Sequence, residues 1–264
     1  MNGIYPLVYV VGLAFLIQWV AFVPAYLRQT EKFFDLTGSI TYISVTIMAV
    51  LLSPTVDPRS ILLLALVVIW AARLGSFLFR RIHKVGKDAR FDEIKPSFLR
   101  FLMTWTLQGL WVTITLAPVL IAITTSVRKE LGLTAAVGGL VWAVGFAIEV
   151  VADDQKNRFR RDPRSEGKFI DTGLWAWSRH PNYFGEIVLW TGVALVALPV
   201  LRSWQLAALI SPAFVTLLLT RVSGVPMLEE RADKQWGGRE DYEAYKARTP
   251  VLIPRFPPRA RADR

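Results

Sequence analysis

Seven apolar stretches, separated by short polar runs, set the pattern of this chain: residues 4–25, 36–52, 60–79, 98–124, 131–151, 183–201 and 204–220. A helix needs about 20 mostly apolar residues to cross the hydrocarbon core of a bilayer. The pattern therefore predicts an all-α, polytopic membrane bundle of seven transmembrane helices. The second stretch is short, and only Arg202 and Ser203 part the last two, so six or eight spans also fit. The first stretch has no basic region before it and no A-x-A site after it, which reads as a retained first helix rather than a signal peptide. Pro24, Pro118, Pro199 and Pro212 fall in or near these stretches and predict kinks. The intervening polar runs are too short for an independent soluble domain, so residues 1–264 read as one membrane-embedded domain.

Composition agrees with the pattern and charge orients it. The chain is 53% hydrophobic, with a mean hydropathy of +0.38. With the N-terminus outside, 26 of the 31 Lys and Arg fall on inside segments, four fall outside (Arg59, Arg128, Lys129, Arg202), and Arg73 lies within the third stretch. That asymmetry follows the positive-inside rule and puts the C-terminus in the cytoplasm. It accounts for the net charge of +10 with no nucleic-acid partner; the lipid bilayer and its anionic headgroups are the partner it fits. The tail PRFPPRARADR belongs near those headgroups. There is no cysteine, which excludes disulfides and thiolate chemistry. The two histidines, His83 and His180, share no ligand-like spacing with carboxylates, so no metal site is expected.

Ionisable and amide groups at membrane depth are costly and hence informative. Arg73 falls in the inner half of the third stretch, and Glu186 one turn into the sixth. Glu149 and Asp153 are four apart and share a helix face where acids oppose the helix dipole, so a basic or donor-rich group should meet them. Gln18 and Gln108 should hydrogen-bond between helices. Three inside segments then carry most of the chemistry. Residues 153–161 alternate acceptors (Asp153, Asp154) with donors (Lys156, Asn157, Arg158, Arg160, Arg161); residues 168–186 hold Lys168, Arg179, His180, Asn182, Tyr183 and Glu186; residues 221–245 hold Arg221 and Tyr245. Arginine grips phosphate bidentately and lysine neutralises it as a point charge. Neither G-x-G-x-x-G after a strand nor G-x-x-x-x-G-K-[ST] is present, so an anionic nucleotide would have to bind through these loops and helix ends.

The run DDQKNRFRRDPRSEGKFIDTGLWAWSRHPNYFGEIVLWTG, with the tail GVPMLEERADKQWGGREDYEAYKARTPVLIP, resembles the bacterial branch of the steroid 5-alpha-reductase family. WAARLGSFLFRRIHKVGKDARF also resembles it, whereas the first 55 residues match weakly. The resemblance implies a seven-helix enzyme of the bacterial inner membrane that holds NADPH at the cytoplasmic side. Residues 153–182 and 221–258 would cover that cofactor. The implied reaction reduces a carbon–carbon double bond conjugated to a ketone in a lipophilic substrate such as a 3-oxo-Δ4 steroid. Carried residue by residue, it gives Asp153, Arg160 and Lys168 to the cofactor. Asn182, Gly185 and Glu186 match the family's Asn–x–x–Gly–Glu and would hold the nicotinamide amide, and Arg221 and Tyr245 match its tail; Arg73, Arg179, His180 and Tyr183, polar groups of the stretches described above, complete the candidate cofactor set. The family's early-helix tyrosine falls at Trp70 and its glutamate near Asp35; these two, with Tyr42 as a phenolic donor two turns from Asp35, are the catalytic candidates.

RHP-x-Y followed by Glu229, Glu230, Tyr242 and Tyr245 also resembles membrane isoprenylcysteine and phospholipid methyltransferases, which use S-adenosylmethionine. The long basic run from Asp153 to Lys168 favours the reductase, because a methyl donor without phosphates needs fewer cations. A non-catalytic lipid-binding membrane protein is the third reading and predicts no cofactor.

Overall fold

A computed structural model describes residues 4–256. The part of the Pro/Arg-rich tail from 257 to 264, and the last residues of the expected covering segment 221–258, lie outside the described residues. Among those described the chain is helical, with no strand. The helices are α1 Ile4–Leu27, α2 Phe34–Leu51, α3 Pro58–Val85, α4 Phe98–Thr124, α5 Leu133–Arg161, α6 Pro181–Ala197, α7 Ser211–Leu217, α8 Val225–Trp236 and α9 Glu240–Arg248. Seven helical spans are long and apolar enough to cross a membrane, as the sequence pattern implies.

The boundaries follow local chemistry. The side chain of Asp57 accepts from Ser60 N–H at 2.8 Å, and Pro58 opens α3 at a position whose N–H would be unpaired anyway. Gly86 closes α3 in a left-handed conformation, φ 87°. Two differences from the pattern stand out. The fifth apolar stretch ends at 151, yet α5 runs on to Arg161. Loss of hydropathy there marks where apolar surface ends, while Lys, Gln and Arg remain good helix formers. The seventh stretch is composite: a 3₁₀ segment Ser203–Ile210, then α7, then a π-turn Leu218–Val222. Pro199 and Pro212 sit in a 3₁₀ turn and at the start of α7, and so mark ends and restarts rather than kinks.

The chain forms two compact units. The first comprises Met1–Gly139 and Val193–Ser211. Its aromatic core joins Phe22, Phe34, Phe91, Phe101 and Trp105, with Phe34 edge-on to Trp105 at 5.1 Å. Gln18 donates to Thr41 at 2.9 Å, which bears out the interhelical bond expected of it. A Cβ on Gly75 would lie 2.6 Å from Ser39, so glycine permits the close approach of α2 and α3. Arg59, expected in an outside loop, is instead buried and donates to the carbonyls of Val196 (2.5 Å) and Glu130 (2.8 Å). Buried Glu31 holds the segment after α3 by accepting from Lys95 (2.5 Å) and from Asp88 N–H (2.7 Å).

The second unit comprises Leu140–Gly192 and Pro212–Arg264. Here α5 and α6 meet through two glycines: a Cβ on Gly185 would lie 2.6 Å from the carbonyl of Gly145 and 2.7 Å from Glu149 N. After α5 the chain turns at Gly173, φ 61°, where Gln155 accepts from Leu174 N–H at 2.9 Å. Trp175 then donates from its indole to the carbonyl of Ala152 at 3.0 Å. These contacts fix the segment leading into Arg179 and His180.

Candidate functional site

The second unit contains a cleft of about 370 Å³. Lys156, Phe159 and Arg160 reach it from α5. Lys168, Phe169, Trp175, Arg179 and His180 line it from the segment between α5 and α6, Leu228, Glu229, Arg231 and Trp236 from α8, and Tyr242 and Tyr245 from α9. Helix α5 delivers its two cations to the cleft only because it continues past the end of the apolar stretch.

Glu229 is the organising acid. One carboxylate oxygen meets Arg179 Nη1 at 2.5 Å and the other meets His180 Nε2 at 2.7 Å. His180 is 4% exposed and lies parallel to Tyr183, ring centroids 5.7 Å apart. Burial pushes its imidazole below the ordinary histidine range, and Glu229 only partly offsets this. The ring is therefore neutral near pH 7, donating from Nε2 to the carboxylate, while Nδ1 has no partner among the described residues.

Aromatic faces complete the cleft. Lys156 Nζ stands 4.2 Å above the Trp175 ring, a cation–π contact. Phe169 packs against Trp236, Tyr242 and Tyr245 with centroids 5.9, 5.2 and 5.3 Å apart. The Tyr242 hydroxyl donates to Asp233 at 3.2 Å and that of Tyr245 to the Trp175 carbonyl at 2.8 Å. Burial raises both phenols well above their ordinary range, so they remain neutral donors.

The other expected residues divide as follows. Of the cofactor set, Arg160, Lys168, Arg179, His180 and Tyr245 line the cleft. Asn182 donates to Asp153 at 3.2 Å, so the acid at the end of the fifth stretch meets a donor as expected. Tyr183 joins the group through His180, and Glu186 lies half-buried one turn further along α6. Arg221 is exposed in the π-turn, away from the cleft lining. Arg73 belongs to the first unit and lies over the Phe77 ring at 5.2 Å. The catalytic candidates are also in the first unit. Tyr42 packs edge-on against buried Trp70 at 5.0 Å, while Asp35 faces Arg81 at 3.7 Å. Sequence reasoning did not assign Glu229, Arg231, Trp175 or Trp236 to a nucleotide cleft. Only the acid-rich tail pattern pointed to Glu229, and it did so for the methyltransferase. Among the described residues, no group of three His, Asp or Glu could hold a metal ion.

Residues 21–249 match the profile of a family described as proteins of unknown function, DUF1295. The 3-oxo-5-alpha-steroid 4-dehydrogenase 1 of Rattus norvegicus is 30% identical over 118 residues, which is 44% of this chain and 40% of the rat protein; its Mus musculus counterpart matches to the same extent. The match thus spans well under half the length of these relatives. A "Probable O-methyltransferase ustE" of Ustilaginoidea virens is 34% identical over 62 residues, 24% of this chain and 22% of that protein. No solved structure matches the chain. The profile covers most of the chain, which belongs to the DUF1295 family, a family that includes steroid 5-alpha-reductase-like proteins.

Proposed function

We propose that the protein is a membrane reductase that uses NADPH to reduce the carbon–carbon double bond of a conjugated enone in a lipophilic, steroid-like substrate. The cleft of the second unit carries the reading. It gathers Arg160, Lys168 and Arg231 beside flat aromatic faces, the donor set that a diphosphate, a 2′-phosphate and stacked bases require. The similarity to the steroid dehydrogenases supports the same chemistry.

NADPH, when bound, supplies the hydride. Arg160 and Lys168 neutralise its phosphates. Asn182, with its amide already turned by Asp153, and Glu186 hold the carboxamide end. Reduction of an enone builds negative charge on the carbonyl oxygen, and a fixed donor must meet it. Tyr42, packed edge-on against Trp70, is proposed as the phenolic donor and Asp35 as the acid, on the sequence reading of these positions. The lipophilic substrate reaches the protein from the bilayer, and the seven apolar spans suit that route.

Methyl transfer from S-adenosylmethionine is kept as a second reading by one observation: Glu229 of the acidic tail pattern does bind the Arg-His pair. A thermal-shift comparison of NADPH, NADH and S-adenosylmethionine on the detergent-purified chain separates the two, because a ligand specific for the folded state raises its apparent stability. Stabilisation by NADPH is the expected result. Stabilisation by S-adenosylmethionine alone would replace reduction with methyl transfer.

A further inference from the structure

The residues after α9 make a run of backbone contacts that packing alone does not require. Arg179 N–H donates to the Pro250 carbonyl at 2.9 Å, and Arg255 N–H donates to the Trp177 carbonyl at 2.9 Å. Between them Ser178, fully buried, donates its hydroxyl to the Leu252 carbonyl at 2.8 Å and accepts from His180 N–H at 3.2 Å. Trp177 packs on Phe256 with centroids 4.7 Å apart. Two residues before Trp177, the Trp175 carbonyl accepts from the Tyr245 hydroxyl. Residues 175–180 are thus gripped from one side, and they end at the Arg-His pair of the cleft.

Such a grip has a physical purpose. The N–H groups of Trp177 and Ser178 close the preceding 3₁₀ turn on the Leu174 carbonyl, whereas Arg179 N–H and the Trp177 carbonyl lie beyond it and are paired with the strap. Two backbone hydrogen bonds to 250–256 supply those partners and remove backbone freedom just before α6. Arg179 and His180 can present a fixed geometry only if their own backbone is fixed.

We propose that residues 250–256 are a positioning strap for the Arg179–His180 arm of the cleft, with buried Ser178 as the link between strap and arm. It rests on the reductase reading only for the choice of nucleotide probe. No residue of the strap is among those that line the cleft, and the strap acts through the arm.

The test uses the full chain in detergent with two disruptive substitutions and one conservative control. Ser178→Ala removes the link, and Arg255→Pro removes a strap N–H while leaving the arm's sequence intact; Ser178→Thr keeps the hydroxyl. Amide hydrogen exchange over 173–184, NADPH and S-adenosylmethionine affinities, and ligand-free Tm are measured for each. Both substitutions should speed exchange in that segment and weaken the ligand that wild type binds by about tenfold, the scale of one lost buried hydrogen bond. Ligand-free Tm should change little, and Ser178→Thr should restore affinity. Unchanged exchange overturns the strap, as does faster exchange with unchanged affinity, or an affinity loss that only follows a fall in Tm. If wild type binds neither nucleotide, the function proposed above fails, and exchange alone then decides the strap: faster exchange upholds it and unchanged exchange ends it.

Discussion

Glu229 determines what the cations of the cleft can do. Its carboxylate already compensates Arg179 and faces His180. Under the proposed function, phosphate is met by other cations of the lining, Arg160 and Lys168. If Arg160 reads a 2′-phosphate, Arg160→Ala should weaken NADPH about tenfold or more and NADH much less, since a charge-assisted contact is among the stronger hydrogen bonds. Equal losses for both nucleotides in a titration would assign Arg160 another place. His180 makes a second prediction. Its folded pKa lies below the unfolded value of about 6.5, so the unfolded chain takes up a proton first as pH falls. Its contribution is present in full above about 6.5 and declines as pH drops through the window between the two values. Wild type should lose thermal stability from pH 7.5 to 5.5, and His180→Gln, which cannot titrate, should lose less. Identical pH slopes would show that His180 binds protons equally in the folded and unfolded chain, and so that burial does not shift it. Arg179 and His180 were legible in sequence as chemistry. Their acid was not, because an ion pair between residues about 50 positions apart is a tertiary fact with no local period or spacing.

At the scale of helices, hydropathy located the spans well and their ends poorly. The fourth stretch and α4 share the bounds 98 and 124, since apolar and helical residues stop together there. In α5 they do not stop together, and the ten extra residues carry Asp153, Lys156 and Arg160 on helix rather than loop. Gly185 is the clearest case of a residue whose type was legible and whose reason was not. The resemblance grouped it with Asn182 and Glu186 at the cofactor; the structure gives it a packing duty against Gly145 as well. Backbone atoms, not flexible side-chain ends, would meet its Cβ, so neither helix can yield cheaply. Gly185→Ala should therefore force α5 and α6 apart and cost about 1–3 kcal/mol, the range for overpacking a tight contact. Because the Asn182–Asp153 bond lies one turn away on the same two helices, nucleotide affinity should fall as well. Thermal melting in detergent with and without NADPH reads both effects. A variant as stable as wild type would mean that the two helices separate freely, and the close approach would lose its role in holding Asn182.

For the whole molecule, orientation is the property that sequence reaches and the fold alone does not. The partition of 26 inside to 4 outside rests on loops whose residues differ in what their charge does. Arg59 is buried and spends its guanidinium on backbone carbonyls, so it reports a structural need rather than a side of the membrane. Leaving it out makes the bias stronger, not weaker, and the expectation of an outside N-terminus stands. The absence of cysteine makes this directly measurable, because any single introduced thiol is the only one in the chain. Lys129 is exposed beyond α4, and Arg158 is exposed near the end of α5, where its pairing with Asp154 is a surface contact of small energetic weight. Lys129→Cys should react with a membrane-impermeant maleimide in intact cells, and Arg158→Cys only after the membrane is opened. The reverse pattern would invert the protein. It would put the basic cleft on the side away from the cytoplasmic nucleotide pool, and with it would go the proposal that this cleft binds NADPH, whatever the purified protein binds in detergent.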